Sequence, residues 1–254
     1  MRSFRAGACA LALLLAGTAA PALAQTADEL VAKNLEARGG AAAFDALESV
    51  KFDGKLIFPG DFQLQYEEVR TKAGDVRVDA SLQGLTLVQA WDGTSGWRIN
   101  PFEGRKDAER MSDDEARSLA DTGSLRGPLQ NAAKQGATVT YLGREDLDGT
   151  NAYKLKVAEK DGDEFVYLLD PDTMLEIKMT ETRKVRGAPQ VSEYEYGDYE
   201  KVAGVYFPMS IESWSAGQGN NRQRTVIASG TANAPAPASL FAQPASPAAA
   251  PKGK

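Results

Sequence analysis

The chain has 254 residues, with 29 Lys+Arg against 35 Asp+Glu for a net charge of −6, no histidine and one cysteine. Without histidine there is no Ser-His-Asp or Cys-His pair. The acidic balance excludes the basic stripe that nucleic acid demands and argues against lasting adhesion to an anionic membrane surface.

Residues 1–24 read as a cleavable export signal: Arg2 and Arg5 form the positive n-region, Ala6 to Ala16 the apolar core, and Ala22-Leu23-Ala24 the small-x-small cleavage site. Cleavage removes Cys9, and with it any thiolate nucleophile or sulfur ligand for zinc. It leaves 27 basic against 35 acidic side chains, a net charge of −8. The apolar run is about a dozen residues, short of the ~20 that span a bilayer. A soluble periplasmic product is expected, resting on a hydrophobic core and not on disulfides.

The first helix opens at Thr26 and Glu29, which have capping-box spacing; Leu30, Val31 and Leu35 form its stripe and Gly39-Gly40 ends it. A second turn, Ala41 to Leu47, puts Phe44 and Leu47 on one side. From Val50 the period changes to two. Val50, Phe52, Leu56 and Phe58 alternate with Lys51, Asp53 and Lys55; Phe62, Leu64 and Tyr66 follow the Pro59-Gly60-Asp61 turn; Val76, Val78 and Ala80 make a third strand. Leu85 to Trp91 and Gly96 to Asn100 flank the Asp92-Gly93 turn. The alternation then breaks. Ser112 and Glu115 open a short helix to about Asp121, carrying Ala116 and Leu119 on one side, and Gly123 to Gln135 reads as a loop or short helix.

Strands resume over Thr138–Arg144, Ala152–Ala158, Glu164–Leu169, Leu175–Val185, Val191–Lys201, Phe207–Ser215 and Arg222–Ser229. Asp148-Gly149, Asp161-Gly162, Asp170-Pro171-Asp172, Arg186-Gly187 and Ala203-Gly204 separate them. Turns about ten residues apart indicate antiparallel neighbours, not βαβ units. The domain is expected to span residues 25–231, and the Ala/Pro-rich tail, residues 232–254, to be largely disordered, above all beyond about Phe241.

These elements predict a mainly β fold: a curled antiparallel sheet of about ten to twelve strands with two helical insertions. Two short helical segments cannot fill so long a trough, so an apolar cavity on the concave side is expected.

Several motifs resemble the periplasmic outer-membrane lipoprotein-sorting proteins, relatives of the LolA/LolB lipoprotein carriers. They are Lys33-Asn34-Leu35-Glu36-Ala37-Arg38-Gly39-Gly40, Trp91-Asp92-Gly93 with Gly96-Trp97-Arg98-Ile99-Asn100-Pro101, Gly143-Arg144-Glu145, Tyr167-Leu168-Leu169-Asp170-Pro171, Asp198 to Pro208 and Ser239-Leu240-Phe241. The resemblance implies an incomplete, half-open β-barrel with a helical lid that holds the acyl chains of a lipid or lipoprotein for transfer across the envelope. It also implies an arginine that holds the lid shut, for which Arg70, Arg77, Arg98 and Arg126 are all candidates.

The residues expected to face lipid are Phe52, Leu56, Leu64, Tyr66, Val78, Leu87 and Trp91, with ordinary core as the competing role. The lid is expected to use Leu30, Leu35, Phe44, Leu47, Ala116 and Leu119. Trp91 and Trp97 flank a tight turn, suited to clamping a ligand or to bracing the hairpin as a cross-strand pair. Arg105, Lys106, Arg110 and Arg117 form a possible rim for acidic groups, neutralised by interleaved Asp107, Glu109, Asp113 and Asp114. The acidic groups Asp113-Asp114-Glu115, Glu145-Asp146 with Asp148, and Asp161 with Asp163 are expected to be solvated or to cap a helix. No catalysis, metal or cofactor is expected. The partners expected are acyl chains, bound by a monomer; the alternative is a non-catalytic sensor or adaptor of the same fold, bound to an inner- or outer-membrane envelope protein.

Overall fold

The computed structural model describes residues 25–185 and 187–245; the export signal read over residues 1–24 and the tail from residue 246 lie outside the described residues. The chain opens with helices α1 (Ala27–Ala37) and α2 (Gly40–Asp45), then runs through β1 (Ser49–Phe58), β2 (Phe62–Thr71), β3 (Val76–Leu82), β4 (Leu85–Trp91), β5 (Gly96–Asn100) and β6 (Arg105–Arg110). Helices α3 (Asp113–Gly123) and α4 (Gly127–Gln135) interrupt the sheet. It resumes with β7 (Thr138–Leu147), β8 (Thr150–Ala158), β9 (Glu164–Leu169), β10 (Glu176–Val185), β11 (Ala188–Val202), β12 (Val205–Ser215) and β13 (Gln223–Ala232).

Both capping boxes form. Thr26 Oγ1 accepts from the Glu29 N–H at 3.2 Å while Glu29 accepts from the Thr26 N–H at 3.1 Å, and Ser112 and Glu115 do the same at the start of α3. Gly39 sits at φ +119°, where a Cβ would lie 2.1 Å from the Gly204 carbonyl oxygen. That glycine lets the α1–α2 corner press against the β11–β12 turn.

The thirteen strands form one sheet in the order β6-β5-β4-β3-β2-β1-β13-β12-β11-β10-β9-β8-β7, every neighbouring pair antiparallel. Two meanders therefore meet through β1 and β13 at the centre. The α3–α4 segment carries the chain from one outer edge, β6, to the other, β7. Those edges do not pair with each other, so the barrel is not closed. A bulge at Asp53/Gly54 bends the central pair, and a Cβ on Gly54 would lie 2.1 Å from the Val226 carbonyl oxygen.

Two features differ from the sequence reading, and an alternative it left open is resolved as a helix. The sheet has thirteen strands because residues 105–110, where charge hides the alternation, form an edge strand; charged side chains are what an exposed edge carries to avoid pairing with another chain. Residues 127–135 are helical, with Leu129 and Ala132 buried. Finally, the segment read as the start of a disordered tail is docked. The Asn233 N–H donates to the Ser49 carbonyl at 2.8 Å and Ser49 Oγ donates to the Ala234 carbonyl at 2.6 Å. Further on, Arg77 Nη1 donates to the Leu240 carbonyl at 3.0 Å and Trp97 Nε1 to the Phe241 carbonyl at 2.6 Å. Composition alone misses this because one buried aromatic, Phe241 at 1% exposure, anchors an otherwise small-residue stretch.

Phe241→Ala is expected to lower the unfolding free energy by about 3 kcal/mol. Urea denaturation measures it, and an unchanged midpoint would show that the strap adds nothing to the fold.

Candidate functional site

The helices lie on the concave side and form three separate seals. Leu30 joins Leu129 and Ala132 against Leu155, Phe165 and Leu169 of the β8–β9 region. Phe44 and Leu47, with Leu35 beside them, pack on Val50, Phe52, Val205 and Phe207. Ala116 and Leu119 cover Val76 and Met111, with Trp91 alongside. The six residues expected in one lid are thus divided among three clusters, and no single lid surface unites them.

Between these seals lies a cavity of about 360 Å³. Its near wall holds Phe52 and Leu56 of β1, Tyr66 of β2, Val78 of β3 and Leu87 of β4, five of the seven residues expected to face lipid. Strand alternation brings them to one face because the register pairs Gly54 with Tyr66 and Ala80 with Leu87. Leu56, Tyr66, Val78 and Leu87 are only half-buried, so the cavity opens to solvent along this wall. The two remaining residues are elsewhere. Leu64 faces the same side, opposite Leu56 in the β1–β2 register, but is buried beside the cavity and does not line it, and Trp91 packs against the α3 seal.

Trp91 and Trp97 do not meet. In the β4–β5 register Trp91 faces Gly96 and Ala90 faces Trp97, so the two indoles lie on opposite faces of the sheet. Trp97 packs with Val88 and Ala90 under the C-terminal strap. It neither clamps a ligand nor braces Trp91.

The far wall is polar and was not read from the sequence. Met179, Glu181 and Arg183 of β10 alternate onto it, with Tyr167 of β9 and Tyr194 and Tyr196 of β11. Asp198, at φ +52°, resets the strand so that Tyr199 faces the same way. The alternation of Met179, Glu181 and Arg183 was a usable signal. It was obscured because apolar periodicity, not charge, is the usual mark of an inward face.

Each charge on this wall has a partner. Arg183 donates to Glu181, to Asp163 at 2.6 Å and to Asp121 of α3, tying that helix to the sheet. Glu176 accepts from Arg38 Nη1 at 3.0 Å and from Gln130 Nε2 at 2.8 Å, while Arg38 Nε donates to the Tyr206 carbonyl at 2.7 Å. Burial would raise the Glu176 carboxyl, but the Arg38 charge and the hydrogen bonds it accepts outweigh burial and hold it below the usual range. Glu68 accepts from Arg70 Nε and from the Tyr66 hydroxyl, both at 2.6 Å.

Of the four candidate arginines, Arg70 lines the cavity beside Glu68, Arg77 pairs with Asp79 on the opposite face, and Arg98 reaches Glu115 of α3. Arg126 alone of the four joins one helical segment to another, donating to Asp45 and to the Ala41 carbonyl of α2. Arg38 and Arg183, outside that set, carry the buried pairs. Two of the four rim basics are paired locally, Arg105 with Glu109 and Arg117 with Asp114. Among the described residues no group of three acidic or sulfur ligands is placed to hold a metal ion.

No protein-family model and no curated protein matches this sequence. Solved structures do match in fold. A LolA superfamily protein from Nitrosomonas europaea superposes with TM-score 0.58 at 13% identity, covering 86% of this chain and 98% of its own. A DUF1329 family protein from Desulfovibrio piger gives 0.58 at 11%, covering 86% and 98%. An outer membrane lipoprotein-sorting protein domain from Vibrio parahaemolyticus gives 0.56 at 10%, covering 85% and 97%. The fold is therefore LolA-like, as the sequence motifs implied.

Behind Arg183, Glu159 has a buried Oε1 without a hydrogen-bond partner among the described residues. Burial, then the charges of Asp121 and Asp161, push its pKa up to about 7. The folded value exceeds the ordinary 4.5, so this carboxyl contributes most stability below about pH 4.5 and loses it as pH rises to about 7. Glu159→Gln is expected to flatten that fall and to raise stability at pH 8 by about 1 kcal/mol, the carboxyl being partly screened by solvent. Melting temperatures of both proteins from pH 4 to 8 test this; parallel curves would exclude it.

Proposed function

We propose that this protein is a non-catalytic periplasmic carrier that takes an acyl chain of a lipid or lipoprotein into the concave cavity and moves it across the envelope. The observation that carries this reading is the apolar wall of Phe52, Leu56, Val78 and Leu87, the last three half-buried, on a cavity of about 360 Å³. That volume lies within the roughly 300–1,000 Å³ range of small-molecule sites. The LolA-like fold supports the same reading.

The physical need is large. Each methylene withdrawn from water is worth about 0.8 kcal/mol, so an acyl chain does not cross an aqueous compartment unaided. A carrier offers comparable apolar surface in a site it can also vacate. Here the α3–α4 connection, with Leu125 and Arg126 on the cavity wall, is the cover. Its polar ties are Arg126 to Asp45 and Asp121 to Arg183, and Leu125 adds an apolar one by packing with Phe44 and Phe207. Exposed pairs of the first kind are worth at most about 1 kcal/mol, weak enough for the cover to part and reseal. The export signal read over residues 1–24 supports a periplasmic carrier.

Native mass spectrometry after gentle purification is expected to show co-isolated lipid. Leu87→Trp, which fills the mouth without touching a buried cluster, is expected to weaken binding of a fluorescent fatty-acid probe by about tenfold with circular dichroism unchanged. A protein isolated free of lipid that also ignores the probe would overturn the carrier reading.

A further inference from the structure

The cavity has two chemically distinct walls, and the polar one has a property that selects among amphiphiles. Its arginines are all engaged: Arg38 with Glu176, Arg70 with Glu68, Arg126 with Asp45, and Arg183 with Glu181, Asp163 and Asp121. A ligand carrying a negative head would find no wall guanidinium without a carboxylate already on it. Displacing a buried carboxylate strands its charge, which is far costlier than leaving the pair intact.

Two hydroxyls are different. Tyr167 is 4% exposed and lines the cavity, yet its hydroxyl has no hydrogen-bond partner among the described residues. Tyr196, also on the wall, donates only to the Met179 sulfur at 3.7 Å. Thioethers are weak acceptors, and buried hydroxyls in folded proteins normally find strong ones. Tyr194, Tyr199 and Tyr66 do so, on Glu181, Glu176 and Glu68. Tyr167 and Tyr196 thus offer two donors to whatever enters.

We infer that the cavity takes a single-chain amphiphile with an uncharged oxygen-bearing head, an ester or amide carbonyl, which accepts from Tyr167 and Tyr196 while the chain lies along Phe52, Leu56, Val78 and Leu87. This deepens the carrier reading and rests on it. Fatty-acid anions are disfavoured by the same wall. Burial, then the neighbouring Tyr196, Glu176, Glu181 and Asp121, keep the Tyr167 hydroxyl protonated. That environment retains a donor and repels a carboxylate.

The test is calorimetric titration at pH 8 with monodecanoylglycerol, decanamide and decanoate, against the wild-type protein, Tyr167→Phe, Tyr196→Phe and the double variant. Removing the Tyr167 hydroxyl breaks no internal hydrogen bond, so Tyr167→Phe is expected to fold normally. The neutral ligands are expected to bind about tenfold more tightly than decanoate. Each Tyr→Phe change should weaken them by roughly fivefold, the equivalent of one ordinary hydrogen bond, and leave decanoate unchanged. Response of only the ester or only the amide assigns the head group within the class. Decanoate binding as tightly as the neutral ligands, or a double variant that keeps the preference, overturns the inference and leaves the carrier standing. Failure of all three ligands to bind the wild-type protein removes the carrier reading first, and this inference with it.

Discussion

The buried pair of Arg38 and Glu176 is the constraint around which the concave side is organised. Arg38 ends α1, Glu176 begins β10, and each is less than a tenth exposed. The guanidinium donates to β12 through the Tyr206 carbonyl and lies 5.5 Å and 5.7 Å from the Phe44 and Phe207 ring centroids. Gln130 of α4 and Tyr199 of β11 donate to the carboxylate, and Asn34 of α1 donates to the Met174 carbonyl at 2.8 Å. Two helices and three strands are thereby fixed through groups that each need the others. Buried ions of this sort stabilise little relative to an apolar filling, but losing one partner leaves the other uncompensated. The network therefore specifies where α1 and α4 sit more than it strengthens the fold.

That placement decides what the trough becomes. With α1 and α4 held over β7 to β10, α3 over β3 to β5 and α2 over Val50, Phe52 and Phe207, the helices leave only part of the middle of the sheet uncovered. The middle is where β1 and β13 join, and the cavity occupies that gap. Its mixed chemistry follows from the same geometry. Along β1 to β4 the wall is mostly apolar, its one charged group, Arg70, being held by Glu68, whereas near β9 to β11 inward charges bind the helices and one another.

Much of this was legible in the chain. Capping boxes at Thr26 and Ser112, Gly-containing turns and two-residue alternation placed both meanders and the intervening helical excursion. The near wall followed from alternation alone. Other parts escaped for identifiable reasons. Residues 105–110 carry charge at nearly every position and have no inward apolar face, so periodicity is blind to them. Phe241 is a lone aromatic in an Ala/Pro-rich stretch, and its docking depends on a Trp97 indole 144 residues earlier in the chain. The far wall combines residues from four separate segments, and only the tertiary structure reveals that Arg38 and Glu176 are neighbours. Leu64 and Trp91 matched the correct periodicity, yet their surroundings differ from those of Leu56 and Leu87.

The central seam has a consequence for how the protein is made. Strand β1 bonds on one side to β2, its immediate successor, but on the other to β13, whose paired residues lie 167 to 182 positions later. A chain emerging from its N-terminus must keep one border of β1 without a mate until nearly the whole polypeptide has appeared. Such distant closure slows assembly and leaves an adhesive ladder open in the meantime. Protection of nascent β1 is thus a requirement set by the topology itself, independent of any cargo the finished molecule carries.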